Sequence, residues 1–366
     1  IAKLNADGSP SWERTYGGEG WDFLHSVTER PDGGYVLTGE TYSSGAGSND
    51  VWVIRIDADG DVVWERTYGG AGSDFGRQVQ LTEDGFIVAG ATTIAEDQDA
   101  WLLNIADNGD TLWTSVQGGD SSDYALAVTR TMSGGFAAVG STRSWSTFNE
   151  AYHFKVDDAG ELVWQFNHGQ DHNQASMDIK ELPDGRLLSV GYVDGTGSGG
   201  LDMFIFFTHE NGGFERGVTN AGDNGAEDEV GNALDLTEDG GAIICGYTTS
   251  FGLGPQDIYA VKVNDTGWTA TVTVVPYEDD IGFVDSVPEE RPSVFPNPAS
   301  VSCRLSSRRR LTAAHLLDPQ GRVVRSWSAP VPQDLDLQGL TDGAYQLVTL
   351  TEDRKRASQP LIIAGN

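Results

Sequence analysis

Basic residues are scarce in this chain: 23 Lys and Arg stand against 55 Asp and Glu, for a formal net charge of −32 over 366 residues. A surface of that sign repels nucleic acid, which excludes that class of partner. Cysteine is scarcer still, with only Cys245 and Cys303, so the fold does not rest on a disulfide framework. No run of 18 apolar residues exists, and no segment reads as a transmembrane span. A Gly-x-Ser-x-Gly elbow, a P-loop and a dinucleotide fingerprint are all missing. Of six histidines, His168 and His172 come nearest to a metal-binding spacing, but they sit in a polar loop with no helix to align them.

Glycine is plentiful, at 47, and it recurs in a pattern. The stretch from Asp50 to Thr92 holds four short segments of alternating polarity, here named a, b, c and d. They are separated by the turn Asp57-Ala58-Asp59-Gly60, the pair Gly69-Gly70 and the turn Glu83-Asp84-Gly85. Period-two alternation bounded by such turns predicts antiparallel strands. The c–d turn returns at Asp32-Gly33-Gly34, Asp84-Gly85, Ser133-Gly134-Gly135, Asp184-Gly185 and Asp239-Gly240-Gly241, at intervals of 49 to 55 residues. Each following d-strand closes on glycine, at Gly39, Gly90, Gly140, Gly191 and Gly246. The b-strand tryptophans Trp12, Trp64, Trp113 and Trp164 keep the same beat.

A four-stranded unit at this period predicts an all-β β-propeller over residues 1–275. Five blades are favoured and six remain open. Five c–d pairs and six a-strands suggest a ring closed by joining the chain ends, which hides the sheet edges. Ile1 falls inside an a-strand without its leading Asp-x-aromatic, which reads as a processed or trimmed start. The small-residue c-strands belong around the channel, and the b-strand tryptophans pack between blades. Cys245, between Ile244 and Gly246 in a d-strand, is expected to be a small buried hydrophobe.

The run Asp57 to Trp64 resembles the tryptophan-docking motif of quinoprotein-like propellers, with one residue fewer in its turn. The whole unit is closer to the repeats of secreted Bacteroidetes-type propellers: Trp12, Tyr16-Gly17-Gly18, Asp22, Asp32-Gly33-Gly34-Tyr35 and Gly39-Glu40-Thr41 match that pattern. A quinone cofactor is not implied, because the wider ring and ring-binding tryptophans it needs are missing.

Residues 276–294 carry three prolines amid a run of acids and read as an extended linker. Residues 295–366 then show strands with turns about every ten residues, the pattern of a small Ig-like β-sandwich. The charge changes sign here, from −36 before residue 291 to +4 after it. This tail resembles the C-terminal sorting domain of type IX secretion substrates. The match is carried by Phe295-Pro296-Asn297-Pro298, by the hairpin Asp318, Gly321 and Arg322, and by Gly343 with Tyr345. The resemblance implies export across an outer membrane, with the type IX machinery as partner and an outer-membrane β-barrel shuttle gripping the tail. It places the protein outside the cell or on its surface, associated with the outer membrane.

Several residues are candidates for chemistry. Asp57 and Asp59 have the composition of a calcium loop, yet no bidentate Glu follows, and Asp-Gly is what a tight hairpin takes anyway. The column Asp22, Asp74 and Asp123, continued by Gln174 and Glu229, either rings a channel mouth and binds a cation such as Ca2+ or accepts loop N–H groups. Its repetition in every blade favours the structural role. Trp21, Trp145, Phe148 and Phe251 break the repeat in loops, where they suit sugar faces, protein hot spots or plain loop packing.

These readings converge on a non-enzymatic secreted or surface propeller that binds protein or glycan, or serves as a structural module, with no catalytic residues and no cofactor. Two alternatives stand beside it. One is a subunit of an outer-membrane assembly docked through its C-terminal domain, and the other is a polysaccharide-active hydrolase or lyase.

Overall fold

The computed structural model describes the chain apart from residues 170–171, 195–199, 221–226, 250–255, 266–268, 276–292, 296–300, 308–309, 318–321, 352–355 and 365–366. It divides into two compact units, Ile1–Tyr277 and Glu278–Asn366.

The first unit is a β-propeller array. A short hairpin, β1 (Ala2–Leu4) and β2 (Pro10–Glu13), precedes five four-stranded antiparallel sheets. The first sheet comprises β3 (Asp22–Glu29), β4 (Tyr35–Thr41), β5 (Asp50–Ile56) and β6 (Val62–Tyr68). The second comprises β7 (Phe75–Leu81), β8 (Gly85–Ile94), β9 (Asp97–Ala106) and β10 (Thr111–Gln117). The third comprises β11 (Asp123–Arg130), β12 (Phe136–Thr142), β13 (Glu150–Val156) and β14 (Leu162–His168). The fourth runs through β15 (Gln174–Glu181), β16 (Leu187–Asp194), β17 (Leu201–Thr208) and β18 (Phe214–Asn220). The fifth runs through β19 (Glu229–Leu236), β20 (Ala242–Thr248), β21 (Asp257–Val263) and β22 (Thr269–Val275). Every sheet takes its strands in the chain order c, d, a, b.

Burial follows position in the sheet. Strands d and a of the third sheet are buried at every residue, while the outer b-strand β14 alternates. Neighbouring sheets interlock: Val36, Val51 and Val53 of the first pack with Val79, Phe86 and Val88 of the second. The inner strands touch in the order β3, β7, β11, β15, β19.

Each inner strand carries one bulged residue at the same place, namely His25, Arg77, Leu126, Met177 and Asn232. The bulge drives a backbone carbonyl toward the d-strand. This explains the closing glycines. A Cβ at Gly90 would lie 1.9 Å from Phe75 O, and one at Gly246 would lie 1.7 Å from Val230 O. These positions have no room for a side chain.

The tryptophan column locks the outer rim. Trp12 Nε1 donates to Ala58 O at 3.0 Å, Trp64 Nε1 to Asp107 O at 3.1 Å and Trp164 Nε1 to Glu210 O at 2.9 Å. Each indole thereby grips the a–b turn of the following sheet. Trp113 is partly buried against the third-sheet core, 5.8 Å from the Phe136 ring.

Two sequence expectations change. Among the described residues, the amino-terminal strands do not join the last sheet: β1 pairs with β2, and the fifth sheet has four strands of its own. Cys245 is exposed rather than buried, because its face of the fifth sheet has no neighbour among the described residues. Both cysteines are free.

The second unit is a β-sandwich. One sheet contains β23 (Ser293–Phe295), β24 (Ser302–Ser306) and β27 (Asp334–Asp336). The other is ordered β26 (Val323–Ser328), β25 (Leu311–Leu317), β28 (Gly343–Thr351), β29 (Arg356–Ile363). Leu305, Leu335, Leu316, Leu347, Leu361 and Ile363 meet in its core. Among the described residues of the chain, no helix is long and apolar enough to cross a membrane.

Candidate functional site

All the loops that break the repeat emerge at one end of the sheets, where strands c and a begin and strands d and b finish. The repeated acids sit here and accept hydrogen bonds from their own blade, although Asp123 Oδ1 is buried without a partner. Asp22 Oδ2 accepts from Gly18 N at 2.8 Å and Ser43 Oγ at 2.7 Å, and its Oδ1 accepts from Thr41 Oγ1. Asp74 accepts from Gly70 N, Thr92 Oγ1 and Thr93 N at 2.6–2.8 Å. Asp123 Oδ2 accepts from Gly119 N and Ser144 Oγ, and Glu229 Oε1 from Thr248 Oγ1. These carboxylates tie the b–c loop to the end of the d-strand, which is the structural role. At the opposite end, Asp57 Oδ1 accepts from the N–H groups of Asp59 and Asp61, as a tight Asx turn requires. Among the described residues, no group of three or more His, Cys, Asp or Glu side chains is arranged to hold a metal.

A second acid column lies at the start of the a-strands, at Asp50, Asp99, Glu150, Asp202 and Asp257, and the sequence reading gave it no role. The signal was present in the recurring Asp-x-aromatic opening. Asp50 Oδ2 accepts from Ala46 N and Gly47 N. Asp99 receives no hydrogen bond from the described residues. A Cβ at Gly118 would meet Asp99 Oδ1 at 2.2 Å and Asp123 Oδ2 at 2.3 Å, so the two carboxyls flank one glycine. Burial, with the Asp123 charge next, pushes the Asp99 carboxyl up to about 6. Trp145 lies beside this pair, its ring 5.5 Å from Tyr152 and its edge near Gly119. Phe148 is half-buried in the same loop, with its N–H donating to Ser146 Oγ. Phe251 lies outside the described residues.

Trp21 opens a different arrangement. It is 74% exposed and stacks on Phe23 at 6.0 Å and 17°, and Phe23 stacks on His25 at 6.4 Å and 5°. Arg77 Nη1 donates to His25 Nε2 at 3.0 Å, while Glu40 Oε1 lies 3.6 Å from the same nitrogen. Burial and the Arg77 charge hold the imidazole below its ordinary range, so it accepts as a neutral ring. The Arg77 guanidinium covers the Phe75 ring at 4.6 Å, and Phe75 stacks on Tyr124 at 5.8 Å. The series Trp21, Phe23, His25, Arg77, Phe75, Tyr124 thus runs without a break over the inner strands of three sheets. Two of its members are the bulged residues, which the bulge turns out of the ladder toward the inner side. Of the six, sequence reasoning had singled out Trp21 as a binding candidate and His25 only as one of six histidines.

In the second unit, Tyr345 OH donates to Thr341 O at 2.9 Å, pinning the turn before β28 as a tyrosine corner does. Gly343 opens β28 and Arg322 is exposed before β26. Phe295 ends β23, and Pro296, Asn297, Pro298, Asp318 and Gly321 lie outside the described residues.

Similar solved structures include a protein of unknown function from Bacteroides caccae, 16% identical over 75% of this chain and 89% of that one, with a TM-score of 0.46. PorZ, described as an essential bacterial surface component of the type IX secretion system of Porphyromonas gingivalis, is 11% identical over 98% of this chain and 48% of that one, with a TM-score of 0.37. A neuraminidase-like protein of subtype N11 from A/flat-faced bat/Peru/033/2010 (H18N11) is 9% identical over 95% and 91%, with a TM-score of 0.40. Among curated proteins no sequence matches. Residues 293–364 match the secretion system C-terminal sorting domain family, so the second unit is a type IX sorting domain, and it directs the chain to the cell surface or beyond.

Proposed function

We infer that the exported propeller is a non-enzymatic glycan-binding module whose contact face is the row Trp21, Phe23, His25 and Arg77. One observation carries this reading: two exposed aromatic rings stacked in series, flanked by an imidazole, a guanidinium and the Glu40 carboxylate. Flat apolar rings beside a few fixed polar groups suit sugar rings, which present an apolar face and a rim of hydroxyls. The occupied state of Asp22 and Asp74 supports binding over hydrolysis, since both oxygens of each carboxylate accept from loop backbone and hydroxyl donors. The strongly acidic surface favours a neutral glycan over an anionic one.

Affinity electrophoresis in gels carrying neutral polysaccharides tests this. A cognate polysaccharide retards the protein, and Trp21→Ala or Phe23→Ala weakens retardation at least tenfold with the melting temperature unchanged. Variants that bind like the parent, or no retardation by any neutral polysaccharide, overturn the site. Release of reducing ends overturns the non-enzymatic reading.

A further inference from the structure

The polar end of the aromatic row departs from the repeat at three positions, and the three side chains meet at one atom. His25 and Arg77 are the bulged residues of β3 and β7, and the same bulge holds Leu126, Met177 and Asn232 in the next three sheets. Glu40 pairs across from Phe23 in β4, where the other d-strands carry Ala91, Ser141, Tyr192 and Tyr247. None of these counterparts is charged at neutral pH. Side chains that serve the fold recur with the repeat, whereas those that serve a site break it.

The meeting atom is His25 Nε2. Arg77 Nη1 donates to it at 3.0 Å, and Glu40 Oε1 lies 3.6 Å away. Among the described residues these are the charged groups that face the imidazole, one from β7 and one from β4. Nε2 accepts from the guanidinium only while it carries no proton. Once protonated it becomes a donor, repelled by Arg77 and drawn to Glu40. Glu40 is held ready for it, since its other oxygen accepts from Asn49 Nδ2 at 2.9 Å. The two partners thus demand opposite protonation states of one nitrogen. Burial and the Arg77 charge outweigh Glu40, which keeps the ring neutral at neutral pH.

The hold on Arg77 depends on this balance. Arg30, Arg55, Arg66 and Arg130 each meet an aspartate carboxylate. Arg77 has no ion pair among the described residues and is fixed by His25 and by the Phe75 ring it covers. A guanidinium held by carboxylates keeps its partner through mild acid, and one held by an imidazole does not.

We propose that His25 is a proton-operated catch on the glycan row: the neutral ring holds Arg77 across the seam between the first two sheets, and the protonated ring turns to Glu40 and frees it, so the row releases its ligand in mild acid. This rests on the glycan reading of the row. Because the bound state needs the neutral ring, proton and ligand compete, each weakening the other by the same factor. One proton is involved, so affinity falls by at most about tenfold per pH unit below the transition. That transition lies below 6.5, the ordinary histidine value.

Two measurements on the whole chain separate the catch from the ligand, with folding of each variant checked by thermal melt. Histidine-selective nitrogen NMR without polysaccharide follows His25 from pH 8 to pH 4, its signals assigned by their loss in His25→Gln. Below 6.5 the ring passes from the neutral form, with its proton on Nδ1, to the imidazolium, and Glu40→Gln moves that step to lower pH. Affinity electrophoresis with a neutral polysaccharide that retards the parent at pH 7.5 shows retardation weakening at least tenfold through the same step. In His25→Gln the amide oxygen accepts from Arg77 at every pH, and the retardation that remains loses its acid step. The proposal is overturned if the parent's acid step survives in His25→Gln, or if Glu40→Gln leaves the His25 titration unmoved. An imidazole already charged at pH 7.5, or one with its proton on Nε2, overturns it too. If no neutral polysaccharide retards the protein at any pH, it is the glycan reading that falls, and the NMR step with its Glu40 dependence decides the catch.

Discussion

Gln78 Nε2 donates to Asp178 Oδ1 at 3.3 Å, although the two residues stand a hundred positions apart with a whole sheet between them in the chain. Both follow the bulge of an inner strand. Gln78 Oε1 also accepts from Val128 N at 2.8 Å, and Asp178 Oδ2 accepts from Leu234 N at 2.8 Å. Ser26 Oγ does the same for Val79 N. In the first, second and fourth sheets one side chain thus accepts a backbone N–H from the next inner strand. In the third sheet Ala127 has no acceptor to offer, and Asp178 Oδ1 takes Ile179 N itself.

Asp178→Ala strands two buried N–H groups, those of Ile179 and Leu234, and costs roughly 2–5 kcal/mol. Asp178→Asn keeps an acceptor and costs about half as much. Burial pushes the Asp178 carboxyl above its usual range, so the parent loses stability as pH rises through that range and the asparagine penalty grows as pH falls toward that of the protonated acid. Urea unfolding of both variants at two pH values checks this ordering.

Gly90→Ala places a methyl against Phe75 O and costs about 3 kcal/mol or more, because the obstacle is backbone. Gly185→Ala, in a c–d turn at φ +86° with nothing within 4 Å, pays only the left-handed strain of about 1–2 kcal/mol. Thermal melts that rank the two the other way would remove the bulge as the reason for the closing glycines.

One buried group and one half-buried group give opposite pH dependence. His153 is enclosed, with Nε2 facing Ser189 Oγ and Ser176 Oγ and its ring stacked on Phe166, and burial drops its imidazole to about 3. The unfolded chain takes up the proton and the folded one does not, so stability is full above pH 6.5 and falls as pH drops from there toward 3. His153→Gln flattens this acid limb. Asp99 runs the other way: with its carboxyl raised to about 6, its favourable contribution is complete below 3.8 and lost as pH rises through 6. Asp99→Asn therefore raises the melting temperature at pH 8 and leaves it unchanged at pH 4.

Deleting residues 356–366 removes β29, and with it Leu361 and Ile363 from the sandwich core. The sorting domain then fails to form while the propeller unit keeps its melting transition. Cell fractionation should find the truncated protein retained in the periplasm, with little at the surface.

Much of the architecture was legible because turns and alternation are local. The Asp-Gly turns mark the hairpins, and the tryptophan beat marks the blade interfaces. The ladder of Trp21, Phe23, His25, Arg77, Phe75 and Tyr124 was not legible, since its members come from three repeats. Only the bulges turn His25 and Arg77 toward one another, and a bulge has no sequence signature beyond its geometry. His153 looked like any other histidine, because its enclosure depends on Ser176 and Ser189 of the next sheet. Cys245 sat in a perfect core pattern, yet a pattern cannot report whether a neighbour is present to cover it.

The indole latches have an evolutionary consequence. Trp12, Trp64 and Trp164 each bind a carbonyl, belonging to Ala58, Asp107 and Glu210, three unrelated side chains. What the latch recognises is main chain, and the rings of Trp12, Trp113 and Trp164 each lie over the turn glycine, at Gly60, Gly160 and Gly212. A duplicated repeat is therefore held by its predecessor whatever residues its turn acquires, provided the glycine stays. Copies of the unit can diverge, shuffle or be added in tandem without a matching change next door, because the joint between them ignores sequence.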